Sequence, residues 1–492
     1  MFVGIDLGTS ALKAVLVDDA QQVVATSTRP LRISTPHPGW SEQAPQDWWA
    51  ALIQAMDALA ADHRGEMAAV TGIGLSGQQH GAVLLDAHGA VLRPCILWND
   101  ERAARECVEF ERRFPRSRQV CGTIAMPGFT APKLIWVARH EPDIFRATRH
   151  VLLPKAWLRY RLCGEMIEDM SDASGSLWLD VGQRRWCPDA LAATGLSPAA
   201  MPALVDGTQR AGMLHQDLVG RWGMTARPVI AGSAGDNAAG AVGLGAVRPG
   251  SSFLSLGTSG VVWVTTDRFR PHPDGGVHAF CHTVPRTWHQ MGVTLSAASS
   301  LAWWARMAGL PVADLLAELP PRVDRPSPVM FLPYLSGDRT PHDDPDIRGA
   351  FAGLSHDTTR ADMTQAVLEG VAFSFRDVVD VMAQAGSDIT QADVIGGGSR
   401  SLLWVSILST ITGLSLNRLA HGAVDGAFGA ARLARIAVTG ESVDTVCLPP
   451  QREATIHPDP ALVEGYRTRL ACYRALYPAI RRAFARPPSD HG

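Results

Sequence analysis

Two carboxylates in this chain each end a short apolar run and open into small residues. Asp6 lies in Gly4-Ile5-Asp6-Leu7-Gly8-Thr9-Ser10, and Asp236 in Ile230-Ala231-Gly232-Ser233-Ala234-Gly235-Asp236-Asn237. A carboxylate at a strand end can hold Mg2+ through water, because that ion keeps much of its hydration shell. The turn beside Asp6 offers amides and two hydroxyls, at Gly8, Thr9 and Ser10, and glycine lets such a backbone approach a phosphate closely. An ordinary hairpin carrying an Asp would read the same way in isolation. Asp236 is delivered near a helix N-terminus. There it can serve as general base for a substrate hydroxyl, with Asn237 orienting it, or simply as an N-cap.

The string Leu7-Gly8-Thr9-Ser10 returns as Leu256-Gly257-Thr258-Ser259. Both copies stand between two short apolar strands, 2–6 and 12–17 for the first, 252–256 and 261–265 for the second. A repeat of about half the chain implies two similar domains and not a solenoid. Two such turns facing each other would clamp a polyphosphate. A third glycine turn, Gly396-Gly397-Gly398-Ser399, follows Val394-Ile395. Bare backbone of that kind suits a flat ligand such as an adenine or ribose, and equally suits a tight strand-to-helix turn. It fails the G-x-G-x-x-G spacing, and no G-x-x-x-x-G-K-[ST] occurs, which sets aside dinucleotide and P-loop folds. The glycines at 240, 243 and 245 fall in and after the Asp236 segment, not in a strand-to-helix turn.

The elements that must position these groups alternate between strand and helix. A third strand over 23–27 completes an opening meander, and turn formers separate the strands. Helices are expected at 45–61 and 132–141, with a strand-turn-helix over 228–242. The longest helix is expected over 359–385, where Met363, Val367, Val371, Phe375, Val378 and Met382 keep helical spacing. It starts on Thr359-Arg360-Ala361-Asp362, a capping box with Asp in place of Glu. Residues 486–492 are expected to fray. Strands and helices alternating in two repeated halves give an α/β protein of two related domains.

A chain of 492 residues carries two or three domains, and its 46% apolar and 19% charged residues suit a soluble enzyme. A formal charge of -3 supplies no basic excess for nucleic acid. Lysine occurs only at Lys13, Lys133 and Lys155 among 45 basic residues. Codon bias explains that, although a retained Lys can also mark a site needing a compact ammonium. The 8 cysteines form no C-x-x-C pair and are expected to be reduced thiols. No basic-then-apolar leader opens the chain, and no uncharged apolar run approaches ~18 residues. The expectation is a cytoplasmic protein with no membrane and no nucleic-acid partner.

Together these motifs resemble the FGGY family of carbohydrate kinases. The first signature of that family resembles Gly128-Phe129-Thr130-Ala131-Pro132-Lys133-Leu134-Ile135-Trp136. The second resembles Gly349-Ala350-Phe351-Ala352-Gly353-Leu354, continuing to Asp362 and Glu369. The resemblance implies two actin-like, ribonuclease H-like (ASKHA) α/β domains with an interdomain cleft. Residues 1–245 would bind the sugar and carry the first phosphate motif. Residues 246–492 would bind ATP through the second phosphate and adenosine motifs. It further implies ATP held by Gly8, Thr9, Ser10, Lys13, Gly257, Thr258, Ser259, Gly397, Gly398 and Ser399, and Mg2+ near Asp6 and Asp236. Asp236 would be the general base, and because members of the family are often dimers, a homodimer is possible.

Four segments resemble the D-xylulose kinases of the family: 37–43, 77–81, 96–100 and 336–341. They imply a sugar site of Gln79, His80, Trp98, Asp100, Asp236 and Asn237, with transfer to the sugar's O5. The product would be D-xylulose 5-phosphate, made in D-xylose catabolism. Gln79 departs from the methionine common at that position, adding an acceptor and two donors beside the sugar. That departure keeps D-ribulose, L-xylulose or an arabitol open as substrates. An actin- or Hsp70-like nucleotide switch is the alternative of another class.

Overall fold

The computed structural model describes residues 1–420 and 425–484, so the 486–492 tail lies outside the described residues. The opening meander forms as Phe2–Leu7, Ala11–Val17 and Val23–Pro30, antiparallel in that order. Gly72–Gly77 adds in parallel beside the first strand, and Val229–Ala231 in parallel beyond it. The central strands are buried at nearly every position, as parallel strands covered on both faces are.

The second half repeats the plan. Ser252–Leu256 pairs antiparallel with Gly260–Thr266, which pairs antiparallel with Trp288–Thr294. Gln391–Ile395 and then Ser415–Leu419 extend the other side in parallel. Five strands thus recur in the same spatial order and the same senses. The repeat anticipated from one four-residue string is a repeat of whole sheets.

One helix crosses between the halves. Gly426–Thr439 belongs to the second half in sequence but lies on the first sheet, so a boundary at 245/246 does not describe its packing. Small residues make the approach possible: a methyl on Gly4 would fall 1.8 Å from Ala427 O, and one on Gly429 1.9 Å from Ala239 O. Arg432 on this helix donates to Val242 O and Gly243 O, both at 3.0 Å, covering the last carbonyls of the Asp236–Gly243 helix. The helix that presents Asp236 is therefore gripped from both halves.

The remaining helices follow the sequence closely. Pro45–Asp62 starts on a proline, where the missing N–H costs nothing. Thr130–His140 begins two residues earlier than expected. Arg360–Gln384 is entered through the full capping box of Thr359 and Asp362. Further along that helix, Glu369 is buried and accepts from Ser327 N and Tyr466 Oη, so the second signature serves as scaffold. Among the described residues no helix is long and apolar enough to cross a membrane.

Candidate active site

Asp6 is the next-to-last residue of its strand, with Lys13 across the ladder and Ser76 beside it in parallel register. Its Oδ1 is buried and takes no hydrogen bond from the described residues. Burial raises its pKa and the Asp425 carboxylate adds to that, while Ser76 and Lys13 act the other way. Lys13 Nζ sits 2.5 Å from Asp425 Oδ2, tying the Ala11–Val17 strand to the N-cap of the crossing helix. The turn after Asp6 is braced by glutamines. Thr9 Oγ1 donates to Gln78 Oε1 at 3.3 Å, Gln43 Nε2 donates to Thr9 O at 2.7 Å, and Gln78 Nε2 donates to Gln43 Oε1 at 3.0 Å.

The second copy of the turn is built differently. Thr258 O accepts from Ala297 N at 3.0 Å and from Ser299 Oγ at 2.8 Å. The position matching Asp6 is Ser255. Thr258 and Ser259 are exposed. The third turn rests on this one. Gly396 adopts φ +89°, and a methyl there would stand 2.6 Å from the Leu256 carbonyl carbon and 2.8 Å from Gly257 N. Only glycine meets both demands. Gly397 has nothing within 4 Å of such a methyl, leaving one open edge of backbone. Gly398 is buried against Leu256, and Ser399 Oγ donates to Gly396 O at 2.7 Å, so these two shape the turn.

Beyond the first turn, Gln79 and His80 follow the Gly72–Gly77 strand. Gln79 Nε2 donates to Ser171 O at 3.3 Å, and its amide packs on Gly235. His80 sits in the left-handed region at φ +70°. Its carbonyl accepts from Lys133 Nζ at 2.9 Å and Thr130 Oγ1 at 3.2 Å, so the first signature serves to fix this strained residue. The ring meets Phe129 edge-on at 4.4 Å, and Nδ1 lies 2.7 Å from Gly175 O. Burial drives its pKa down to about 3 despite that carbonyl, with the charges of Lys133, His278 and Arg339 pushing the same way. The imidazole is therefore neutral. A carbonyl at Nδ1 assigns the proton to that nitrogen and leaves Nε2 as an acceptor. Lys133 itself is held down to about 7 by burial.

Trp98 is 47% exposed and donates from Nε1 to Thr9 Oγ1 at 2.9 Å, which places a large aromatic face at the first turn. Asp100 does not join the site. It is 1% exposed, and its carboxylate is used up by Ser41 N at 2.6 Å and by Arg102 Nε and Nη2 at 2.8 and 2.7 Å. Arg102 in turn stacks over Trp40 at 3.6 Å. The sugar-binding expectation for Asp100 is corrected accordingly: a carboxylate with filled acceptor sites under a loop cannot reach a ligand.

Asp236 is the first residue of its helix, and Gly235 takes the N-cap position that the plain reading gave to Asp236. Asn237 N and Nδ2 both donate to Asp236 Oδ1, at 2.7 and 2.9 Å. That leaves Oδ2 without a hydrogen-bond partner among the described residues. Burial, and then the Asp6 charge, raise the Asp236 pKa to about 7 against the opposing pull of Asn237. A carboxylate poised near neutrality beside a second carboxylate suits proton abstraction. Sequence reasoning named no role for Gln43, Gln78, Ser171 or Gly175. Their work is long-range bonding, which leaves no local pattern.

Residues 1–243 match the family described as FGGY family of carbohydrate kinases, N-terminal domain, and residues 253–438 match its C-terminal domain. A xylulose kinase of Escherichia coli K12 is 47% identical over 479 residues, covering 97% of this chain and 98% of that protein. A crystal structure of a xyloylose kinase from Brucella ovis superposes with a TM-score of 0.96 at 51% identity, covering 98% of this chain and 99% of that one. A xylulose kinase structure from Rhodospirillum rubrum gives a TM-score of 0.91 at 29% identity, over 99% of this chain and all of that one.

Proposed function

This chain belongs to the FGGY family of carbohydrate kinases, and from that premise we propose that it moves the γ-phosphoryl group of ATP to O5 of D-xylulose, with Asp236 as the general base. The kinase activity and its sugar follow from full-length similarity to xylulose kinases. The observation that carries the mechanism is Asp236: partnered on one oxygen by Asn237, free on the other among the described residues, and held at about 7.

The remaining groups have separable tasks. Neutral His80 accepts a sugar hydroxyl at Nε2, and the Gln79 amide offers further hydrogen bonds beside it. The exposed face of Trp98 covers an apolar side of the sugar. Asp236 takes the O5 proton as the O5–Pγ bond forms and the bond from Pγ to the bridging β-oxygen breaks, releasing ADP. Phosphates lie between the two Gly-Thr-Ser turns, and the open edge at Gly397 receives the adenosine. The unpartnered Oδ1 of Asp6, close to Asp236, fits a hydrated Mg2+, since two carboxylates suit an ion that keeps its water. Bound there, Mg2+ would neutralise charge on the phosphates. We place this ATP-dependent chemistry in the cytoplasm.

The test is ADP release with Mg-ATP against D-xylulose, D-ribulose, L-xylulose, pentitols and glycerol, with a no-sugar control. Highest kcat/KM for D-xylulose is expected. Preference for another sugar would move specificity to Gln79, and ADP release indifferent to sugar would make the chain a nucleotide switch.

A further inference from the structure

The adjacent pair Gln79–His80 and the distant Gly235 lean on one short segment. The turn of helix Met170–Ser174 is entered through Asp169, whose carboxylate accepts from Asp172 N at 3.1 Å and from Ser171 Oγ at 3.0 and 2.9 Å. Ser171 O takes the Gln79 amide at 3.3 Å. Ser171 Oγ accepts from Gly235 N, the residue before Asp236, at 3.2 Å. Gly175 O fixes the His80 ring at 2.7 Å. One seven-residue stretch, 169–175, thus sets both the sugar-recognising pair and the backbone that presents the base.

Beneath the segment lies a buried charge cluster. Lys155 Nζ stands 2.6 Å from Glu168, 3.5 Å from Asp172 and 3.7 Å from Asp169. All four side chains are buried, and among the described residues neither carboxylate oxygen of Asp172 finds a hydrogen bond. Nearby Arg159 spends its guanidinium on the carbonyls of Ile167 and Gly232. Burial raises the Asp169 pKa to about 6 and that of Asp172 well above the usual carboxylate range, against the pull of Lys155, so protons take up part of a buried acidic charge that would otherwise be costly. Lys155 thus bears on Asp169 from one side, and Asp169 holds the Ser171 hydroxyl on the other. That hydroxyl donates to Asp169 and so turns its lone pairs to Gly235 N.

We propose that Ser171, oriented by Asp169 on Lys155, is a positioning residue that fixes the separation between the sugar-recognition pair Gln79–His80 and the base Asp236. The proposal rests on the roles given above to those residues. Its consequence is selective. Ser171 governs sugar binding and proton transfer and leaves the nucleotide turns at 257–259 and 396–399 alone. Those turns share no hydrogen bond with the 169–175 segment.

Lys155→Met removes the whole anchor and can prevent folding, so the decisive variants are Ser171→Ala and Ser171→Thr. Ser171→Ala is expected to raise the D-xylulose KM and lower kcat by about tenfold each, with the ATP KM within about twofold. Ser171→Thr, which keeps the hydroxyl, is expected to restore most of both. An ATP KM that moves as far as the sugar KM, or a threonine variant no better than alanine, overturns the proposal. So does an alanine variant that matches the parent in every constant. If the parent prefers another sugar, the roles above are revised and the same comparison is read with that sugar. Should the parent turn over no sugar, the kinase reading fails, and hydrogen exchange at the Gly235 amide decides the bonding alone. Faster exchange there in Ser171→Ala supports the brace, and unchanged exchange removes it.

Discussion

The turns at 7–10 and 256–259 share four residues and do unlike work. In the first, a four-residue loop joins Leu7 to Leu12, and Asp6 faces Lys13 across the ladder. In the second, a three-residue loop joins Leu256 to Gly260, and the matching cross-strand pair is Ser255 with Val261. Glutamines grip the first turn through Thr9, whereas the second is tied down by backbone groups at 297–299. The first half sets the charged Asp6 beside its turn where the second has Ser255, and the first half also carries Asp236, the proposed base. The difference teaches that duplication supplied the same glycine turn twice, while the carboxylates proposed to react accumulated in one copy.

The sharpest way to break that comparison is at Asp236. Asp236→Ala is expected to lower transfer by ~10³-fold or more while ATP and sugar still bind, read by kcat and by equilibrium titration. In the parent, kcat/KM should fall about tenfold per pH unit below about 7, because the base must be deprotonated. Stability runs the other way. Asp236 has a folded pKa raised to about 7 from 3.8, so the folded chain holds the proton better between those values. Its contribution is greatest below 3.8 and is lost as pH rises through 7. The melting temperature of Asp236→Asn relative to the parent should therefore climb from pH 5 to pH 8. A constant difference would refute the raised pKa.

Next come the matched pair Asp6→Asn and Ser255→Ala. The first should cost on the order of 10²-fold in kcat and weaken Mg2+ dependence, and the second less than about threefold. Equal losses would erase the asymmetry between the turns. A milder contrast is Thr9→Val against Thr258→Val. The former breaks bonds to Gln78 and Trp98 and should cost roughly tenfold in kcat/KM, while the latter should change only the ATP KM by a few-fold. Smallest of all is Lys13→Met, within about threefold, because its ion pair with Asp425 is partly solvent-exposed.

Much of this architecture was legible along the chain. Strand alternation, the repeated Leu-Gly-Thr-Ser string and the Thr359 capping box each act over a few residues, and each appears where expected. Asp100 misled because its type and neighbourhood fit a ligand, while its partners Ser41 and Arg102 are set by loop folding. The three lysines divide the same way. Their scarcity was visible, but that Lys133 holds a strained carbonyl and Lys155 a buried acidic cluster was not.

By itself the sequence determined the two-halved α/β plan, the glycine turns and the identity of Asp6 and Asp236, because backbone propensity and short motifs are local. Only the tertiary structure decided that helix 426–439 crosses to the first sheet, that Gln79, His80 and Gly235 hang on one segment, and that Asp236 is held near neutrality. Those outcomes depend on burial and on hydrogen bonds between residues tens to hundreds of positions apart, and such distances are set by packing alone.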